Sequence, residues 1–229
     1  IAFHQSAKQK LEDTDTQSHQ LDQLKKQLSA ATNKTQELAE SLSIKRQRAA
    51  KKLDSLIEKE LHTLGMQKAV FQVRWNQAEL NSDGIDEIEF LISTNVGTEL
   101  KPLTKIASGG EISRVMLAMK TVLAQTDQIP TLIFDEIDVG IGGHTANIVG
   151  KKLKELSKFC QVICITHLPQ IACLADRHFR VDKRVRNKQT VITAYQLTEE
   201  DRVSELARMQ GDKTAQAAMA YARELLDKR

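Results

Sequence analysis

The sequence predicts an α/β fold, in which a mostly parallel sheet flanked by helices follows a long amino-terminal helix. Residues 21–64 contain neither Gly nor Pro, and their apolar residues recur at alternating intervals of three and four. After residue 66, short apolar runs alternate with helical patterns, which favours parallel strands joined by helices. We therefore predict two domains, a coiled-coil arm at 1–64 and a globular lobe at 65–229.

The apolar positions of the arm form an imperfect seam. Thr35 and Lys45 occupy core positions, and the phase shifts near Leu53. A helix of this length cannot bury its own apolar stripe, so it needs a partner helix; a single amphipathic helix packed on a globular partner also fits the pattern. The seam consists of Leu21, Leu24, Leu28, Ala31, Leu38 and Leu42, followed by Ala49, Leu53, Leu56, Ile57, Leu61 and Leu64.

The lobe is predicted as an ordered series of strands and helices. β-branched runs mark the strands, and apolar residues at helical spacing mark the helices. The strands are expected at 70–75, 85–94, 131–134, 161–165, 178–182 and 190–197, and the helices at 112–123, 144–156, 199–209 and 214–226.

A Ser-Gly-Gly-Glu motif at 108–111 stands immediately before a helical pattern. Gly109 and Gly110 allow a ligand to approach the backbone closely. The free N–H groups of a helix start and the positive end of its dipole favour an anion such as phosphate, and Ser108 at the cap adds a hydroxyl. By itself such a motif is more often an ordinary capped loop. The motif consists of Ser108, Gly109, Gly110 and Glu111.

Two acids follow the apolar strand at 131–134. Open α/β sheets bind ligands at the carboxyl ends of their strands, and Asp135 and Glu136 lie at that edge. Asp135 can hold Mg²⁺ directly or through water, and Glu136 can orient or deprotonate an attacking water. The alternative is that the pair is only the polar end of a buried strand.

His167 lies two residues after the next apolar run, at 161–165. Its imidazole can hydrogen-bond a terminal phosphate or the attacking water, although a single histidine is more often structural. The joint occurrence is more specific than any one motif, because three elements must each fall at a strand end or helix start within about 60 residues. Together they indicate part of an ATP site.

The segments at 101–120, 134–143 and 165–172 closely resemble the carboxy-terminal ATPase lobe of the RecN family of bacterial DNA repair proteins. That family belongs with the SMC and Rad50 type of ABC ATPases. The resemblance covers nearly all of residues 45–229, and the Ile-Asp-Val-Gly-Ile-Gly-Gly stretch that ends at residue 143 is its most specific part.

The resemblance implies a role for each motif. Residues 108–111 match the ABC signature loop, which reaches across a dimer to the ATP held by another head. Asp135 and Glu136 match the Walker B pair, as the magnesium-side carboxylate and the hydrolytic base, and His167 matches the switch histidine. The implied cofactors are therefore ATP and Mg²⁺.

Ala107 stands where transporters carry Leu, which resembles the RecN variant and changes little. The roles of three nearby positions, Gly142, Asp138 and Arg114, stay open, and Gly142 stands where SMC proteins carry a loop Asp. Asp138 matches an earlier acid, so the resemblance gives it no role in that loop. Arg114 lies one turn after Glu111 and either pairs with it or relays nucleotide state to the arm.

The sequence contains no P-loop, which requires Gly, four residues and then Gly-Lys-Ser/Thr. The segment at 143–152 is only superficially similar and is predicted to be helix. In the family the P-loop lies in an amino-terminal lobe that precedes the coiled coil. We therefore expect this chain to be a fragment that is inactive alone, with the P-loop lobe, its coiled-coil helix and a second head as partners.

The resemblance implies an ATPase that dimerises its heads and tethers DNA during double-strand break repair and recombination. The alternatives are a non-catalytic coiled-coil scaffold and a fragment of another SMC- or Rad50-like chromosome-organising ATPase. No stretch is apolar enough to cross a membrane and no secretory leader is visible, so we expect a cytoplasmic, nucleoid-associated protein without a membrane partner.

Composition adds little about partners. The net charge of +3 does not by itself indicate a nucleic-acid surface. Basic clusters at 45–52 and 183–188 suit phosphate backbone, but such clusters are often solvated faces; we favour that interpretation for the first and leave the second open. Cys160, Cys164 and Cys173 lack the neighbours that a metal site needs and are expected to be reduced core thiols.

Overall fold

The computed structural model describes residues 2–127, 129–186, 189–211 and 216–227, with side chains from residue 16 onward except that of residue 186. The long helix α1 comes first, and strands and helices then alternate. The elements are α1 (Ala2–Thr63), β1 (Val70–Asn81), β2 (Gly84–Ser93), β3 (Lys101–Pro102), α2 (Gly109–Leu123), β4 (Thr131–Phe134), α3 (Gly143–Leu156), β5 (Gln161–Cys164), α4 (Pro169–Ala172), β6 (Phe179–Arg186), β7 (Gln189–Gln196), α5 (Glu199–Met209) and α6 (Gln216–Asp227).

The described strands form three sheets. The first has the order β1-β2-β3, β4 pairs with β5 in parallel, and β6 pairs with β7 antiparallel. The chain between β4 and β5 crosses over through α3. Parallel strands need such a crossover, because they cannot be joined by a tight turn. The mixed α/β class and the long amino-terminal helix are confirmed, and the parallel pairing in the described part of the chain lies in the β4–β5 pair.

The observed bounds differ most from the predicted ones in β1, which continues to Asn81 instead of ending at 75, and in β6, which continues to Arg186 instead of ending at 182. The second half of β1 is too polar to be recognised as a strand, but it pairs within the β1–β2 hairpin. The segment at 143–152 is helical, as predicted, and α5 has the predicted bounds. The predicted start of α6 at Thr214 lies outside the described residues.

Helix α1 ends at Thr63, and a glycine in the left-handed region follows two residues later. Gly65 has a φ of 85°, which is unfavourable for residues with a Cβ. The N–H of Met66 donates to the carbonyl of Leu61 at 3.0 Å, and that of Gly65 donates to His62 at 3.3 Å. These bonds satisfy carbonyls that the end of a helix leaves unpaired.

The chain forms two compact units, of which the first comprises residues up to 52 together with 74–89. In this unit the Asp86 carboxylate accepts hydrogen bonds from Ser43 Oγ at 2.6 Å, Arg46 at 3.1 Å and Trp75 Nε1 at 2.9 Å. Arg46 also donates to the Asp83 carbonyl at 2.8 Å. One guanidinium of the first basic cluster is therefore used within the fold. The predicted boundary at 64/65 stays a prediction.

The second unit comprises 53–73 and 90–229 and holds the main apolar core. The last turns of α1 contribute to that core beside α2, β4 and α3. No helix in the described ranges is both long enough and apolar enough to span a bilayer. Buried members of the core include Ile57, Leu61, Leu64, Phe71, Val115, Leu117, Phe134, Ile137, Val149 and Leu153.

Candidate functional site

The carboxyl ends of β4 and β5 bring the predicted acids and histidine to one edge. Phe134 and Cys164 are paired in the register of the two parallel strands, and the N–H of Ile165 continues the ladder to the Phe134 carbonyl at 2.9 Å. Asp135 and Glu136 follow β4 directly, and His167 follows β5 three residues after its end. Parallel pairing thus places residues about 30 positions apart at the same edge.

The signature motif forms a capped helix start. Ser108 has an extended backbone, and its hydroxyl accepts a hydrogen bond from the N–H of Glu111 at 3.3 Å. Helix α2 then begins at Gly109, and the N–H of Ile112 donates to the Ser108 carbonyl at 3.0 Å. The predicted N-cap is therefore present, with Glu111 in the first turn.

The two glycines of the motif lie against the loop that follows β4 in the same chain. This loop, at 135–139, is called the acid loop because it carries Asp135 and Glu136. A Cβ added at Gly109 would lie 2.0 Å from Glu136 Oε2, and one added at Gly110 would lie 3.0 Å from the Glu136 carbonyl and 3.2 Å from that of Val139. Glu136 itself has a φ of 56°, a strained conformation for a residue with a side chain. The sequence predicted no such contact between the Ser-Gly-Gly-Glu motif and Glu136.

Helix α2 holds the acid loop by side chain to backbone hydrogen bonds. Ser113 Oγ donates to the carbonyl of Asp135 at 2.6 Å. The buried Arg114 donates to the carbonyls of Ile137 at 3.3 Å and Val139 at 2.9 Å, and its burial lowers the pKa of its guanidinium. Arg114 therefore acts chiefly on carbonyls of the acid loop, which neither sequence interpretation of this residue anticipated.

Asp135 is exposed at the strand end. One of its carboxylate oxygens, Oδ1, accepts a hydrogen bond from the N–H of Glu136 at 2.8 Å. No group of three or more His, Cys, Asp or Glu side chains in the described ranges is arranged to hold a metal ion. A single carboxylate fits Mg²⁺, which takes one or two carboxylates together with phosphate oxygens and waters.

Asp138 is the site residue to which the sequence analysis gave no role. Its side chain is 3% exposed, and its Oδ2 accepts hydrogen bonds from the hydroxyl of Thr166 and from the N–H of His167 at 2.9 Å. The same oxygen lies 3.1 Å from His167 Nδ1. The only sequence signal was the position of Asp138 shortly after the acid pair.

Gly142, the other open position, is the N-cap residue of α3. Its φ is −88°, and an added Cβ would meet no atom of the described residues within 4 Å. The backbone therefore does not require glycine there.

The three cysteines are free thiols, buried or half-buried near these strands. Burial, together with the charges of Asp138 and Asp135, raises the pKa of Cys164 to about 12. Because the thiolate is the reactive form, Cys164 is a poor nucleophile and metal ligand. This arrangement agrees with the interpretation of reduced core thiols.

The second basic cluster lies on the β6–β7 hairpin. Lys183 is exposed, and the guanidinium of Arg184 pairs with Asp182 at 3.2 Å. The side chain of Arg186 and the whole of Lys188 lie outside the described residues. A DNA contact here stays a prediction.

Known proteins resemble this chain over most of its length. It is 47% identical over 205 residues to the DNA repair protein RecN of Rickettsia conorii, covering 89% of this chain and 38% of the relative. It is 39% identical over 226 residues to RecN of Vibrio cholerae, covering 97% and 41%. The chain thus spans about two fifths of these relatives. No family model matches it.

Among solved structures, the Smc head domain of Pyrococcus yayanosii, crystallised with a coiled coil and joint, aligns with 80% of this chain and 30% of its own, at a TM-score of 0.48 and 20% identity.

The RecN relatives match both the arm and the lobe, and their identity of 39–47% extends over 89–97% of the chain. The chain belongs to the RecN family of DNA repair proteins.

Proposed function

We propose that this chain is the carboxy-terminal head lobe, with part of the coiled coil, of an ATPase that acts in DNA double-strand break repair and recombination. The observation that carries the proposal is the convergence of three motifs at one edge in a member of the RecN family. Asp135, Glu136 and His167 follow two parallel strands, and the capped start of α2 lies against the same loop. Nucleotide binding sites commonly lie at such an edge.

Each residue has a role that follows from its position. Asp135 would hold Mg²⁺ through its exposed carboxylate, and the metal would supply charge stabilisation for the phosphates. Glu136 would act as general base toward the attacking water, and His167 would contact that water or the terminal phosphate. Ser108, Gly109, Gly110 and Glu111 would offer a helix start to the phosphate of ATP held by a second head, in place of the Glu136 carboxylate that lies against Gly109 in this chain.

The proposal requires partners beyond these 229 residues. The P-loop would come from an amino-terminal lobe, whose coiled-coil helix would cover the seam of α1, and two heads would dimerise around ATP. DNA would be bound by the assembled protein, which we expect to be cytoplasmic and associated with the nucleoid. These statements rest on the family, since the chain spans about two fifths of its relatives.

The test is Mg²⁺-dependent phosphate release by the chain assembled with the amino-terminal part of the same protein. Glu136→Gln keeps the shape of the side chain and removes its basicity, so we expect turnover to fall about 100-fold or more. Glu79→Gln, an exposed glutamate on β1, is the matched control and should change nothing.

Two results would count against this function. One is an assembled protein that hydrolyses no ATP. The other is equal turnover in the Glu136→Gln and Glu79→Gln variants. A separate measurement of DNA binding at graded salt tests the DNA role, because binding to phosphates must weaken as salt rises.

A further inference from the structure

A buried carboxylate supports an exposed histidine at the proposed site. The Asp138 side chain is 3% exposed, whereas that of His167 is 70% exposed, although Asp138 Oδ2 and His167 Nδ1 lie 3.1 Å apart. The Nδ1 edge of the imidazole ring therefore lies beside a buried carboxylate, while most of the His167 side chain is open to solvent. This geometry suits a side chain that is held in place so that its exposed part can contact a bound molecule.

The chemistry of the pair decides which nitrogen carries the proton. Because an ionised carboxylate only accepts hydrogen bonds, a carboxylate oxygen 3.1 Å from Nδ1 favours a proton on that nitrogen over a lone pair. In the neutral ring the other nitrogen, Nε2, then has a free lone pair and is an acceptor. The exposed nitrogen of His167 can thus accept a hydrogen from water, whereas an unprotonated phosphate oxygen offers it no hydrogen.

Asp138 also fixes the backbone that carries the ring. The same carboxylate oxygen accepts from the N–H of His167 at 2.9 Å and from the Thr166 hydroxyl, which in turn accepts from the N–H of Leu168 at 3.0 Å. One carboxylate therefore binds the main chain of His167 and lies beside its ring. Such support is what allows a side chain to keep one productive geometry.

The position of Asp138 depends in turn on α2. Arg114 donates to the carbonyls of Ile137 and Val139, which flank Asp138 on either side. Arg114 thus binds the backbone on both sides of Asp138, and Asp138 in turn binds the main chain of His167. Any displacement of α2 would act on the loop that contains Asp138.

We propose that Asp138 is a positioning residue that holds His167 with its proton on Nδ1, so that the exposed Nε2 accepts a hydrogen bond from the attacking water. This inference rests on the proposed function for the identity of the water. It narrows the role of His167, which was left open between water and phosphate. The tautomer itself is a property of this chain and can be measured without ATP.

The experiment is ¹⁵N NMR of the chain with labelled histidine, at a pH of about 8.5, where an ordinary imidazole is neutral. Long-range couplings between ring carbon-bound protons and nitrogens identify the protonated nitrogen, and His167→Gln assigns the signal. We expect the Nδ1–H form for His167. A predominant Nε2–H form in the unchanged chain would overturn the proposal, whatever the variants do.

Two variants separate positioning from a purely structural role. Asp138→Asn keeps an oxygen acceptor and should retain the Nδ1–H form, whereas Asp138→Ala should lose that preference. In the assembled ATPase, we expect Asp138→Ala to lower kcat about 10-fold to 100-fold with a smaller effect on KM, and Asp138→Asn to recover part of the loss. An unchanged tautomer in a folded Asp138→Ala variant would contradict the proposal.

The proposed function and the pairing of Asp138 with His167 can fail separately. If the unchanged chain shows the Nδ1–H form but the assembled protein never hydrolyses ATP, the proposed function fails and the Asp138–His167 pairing is supported. If hydrolysis is normal and the tautomer is Nε2–H, the reverse holds.

Discussion

The two ends of α1 have the same apolar periodicity but differ in burial. Leu21, Leu24 and Leu28 are 52–68% exposed, whereas Ile57 and Leu61 are fully buried in the core of the lobe. Helical spacing of apolar residues therefore predicts the helix from Leu21 to its end, but it does not predict what covers the stripe. For the buried end the partner lies within this chain. For the exposed end, the partner helix stays a prediction.

The middle of α1 shows a third situation. Ser43 and Arg46 are held by Asp86 through side-chain hydrogen bonds and not by an apolar stripe. Neither residue belongs to the predicted seam. The seam is not clear of the hairpin, since a Cβ added at Gly84 would lie 3.6 Å from Cδ2 of the seam residue Leu42.

The largest test of this comparison is to truncate one leucine at each end. Leu61→Ala should lower the free energy of unfolding by about 2–5 kcal/mol, because it leaves a cavity in a fully packed core. Leu28→Ala, at 68% exposure, should change it by less than about 0.5 kcal/mol. Urea unfolding followed by circular dichroism measures both, and equal losses would contradict the comparison.

The fold was largely predictable because its signals are local. The helix cap at Ser108 and the β-branched runs of β4 and β5 each lie within one element. The second half of β1 was missed, because most of its residues are polar and they form no clear apolar face. That segment is a strand because its hairpin partner pairs with it, and pairing of this kind is not visible in the segment itself.

The candidate site was predictable as a set of residues but not as a network. Asp135, Glu136 and His167 could be found because each follows an apolar run. Arg114 could not be interpreted, because the carbonyls to which it donates lie 23 and 25 residues further along the chain. Asp138 was equally uninformative before the parallel pairing of β4 and β5 placed it beside His167. Long-range partners of this kind depend on the tertiary fold.

A smaller effect is expected from acid, through Asp86. Burial of this carboxyl raises its pKa, but hydrogen bonds from Ser43, Arg46 and Trp75 outweigh burial and hold the pKa below its ordinary value. Because the folded pKa is the lower one, the stabilisation is present above the unfolded value of about 3.9 and is lost as pH falls through the folded value.

Trp75 reports this loss directly, because it is the only tryptophan and donates to Asp86. Its fluorescence should change between a pH of about 4 and a pH of about 2. In Asp86→Asn that acid transition should be absent, while Asp83→Asn, on the exposed turn, should keep it. An identical transition in all three proteins would show that another group titrates.

The smallest effect concerns the exposed end of α1, where Thr35 interrupts the seam. Its hydroxyl donates to the carbonyl of Ala31 at 2.8 Å, a bond that competes with the helix backbone. Thr35→Leu should stabilise the isolated chain by about 0.3 kcal/mol through helix propensity alone. With the amino-terminal part of the protein added, the gain should rise to about 1–2 kcal/mol, because the leucine would then be buried. Thr32→Leu, which lies at the edge of the seam one turn after Leu28, is the control and should gain less than Thr35→Leu when the amino-terminal part is added. Thermal unfolding by circular dichroism measures these differences, and equal gains for Thr35→Leu with and without the added part would place residue 35 outside the helix interface.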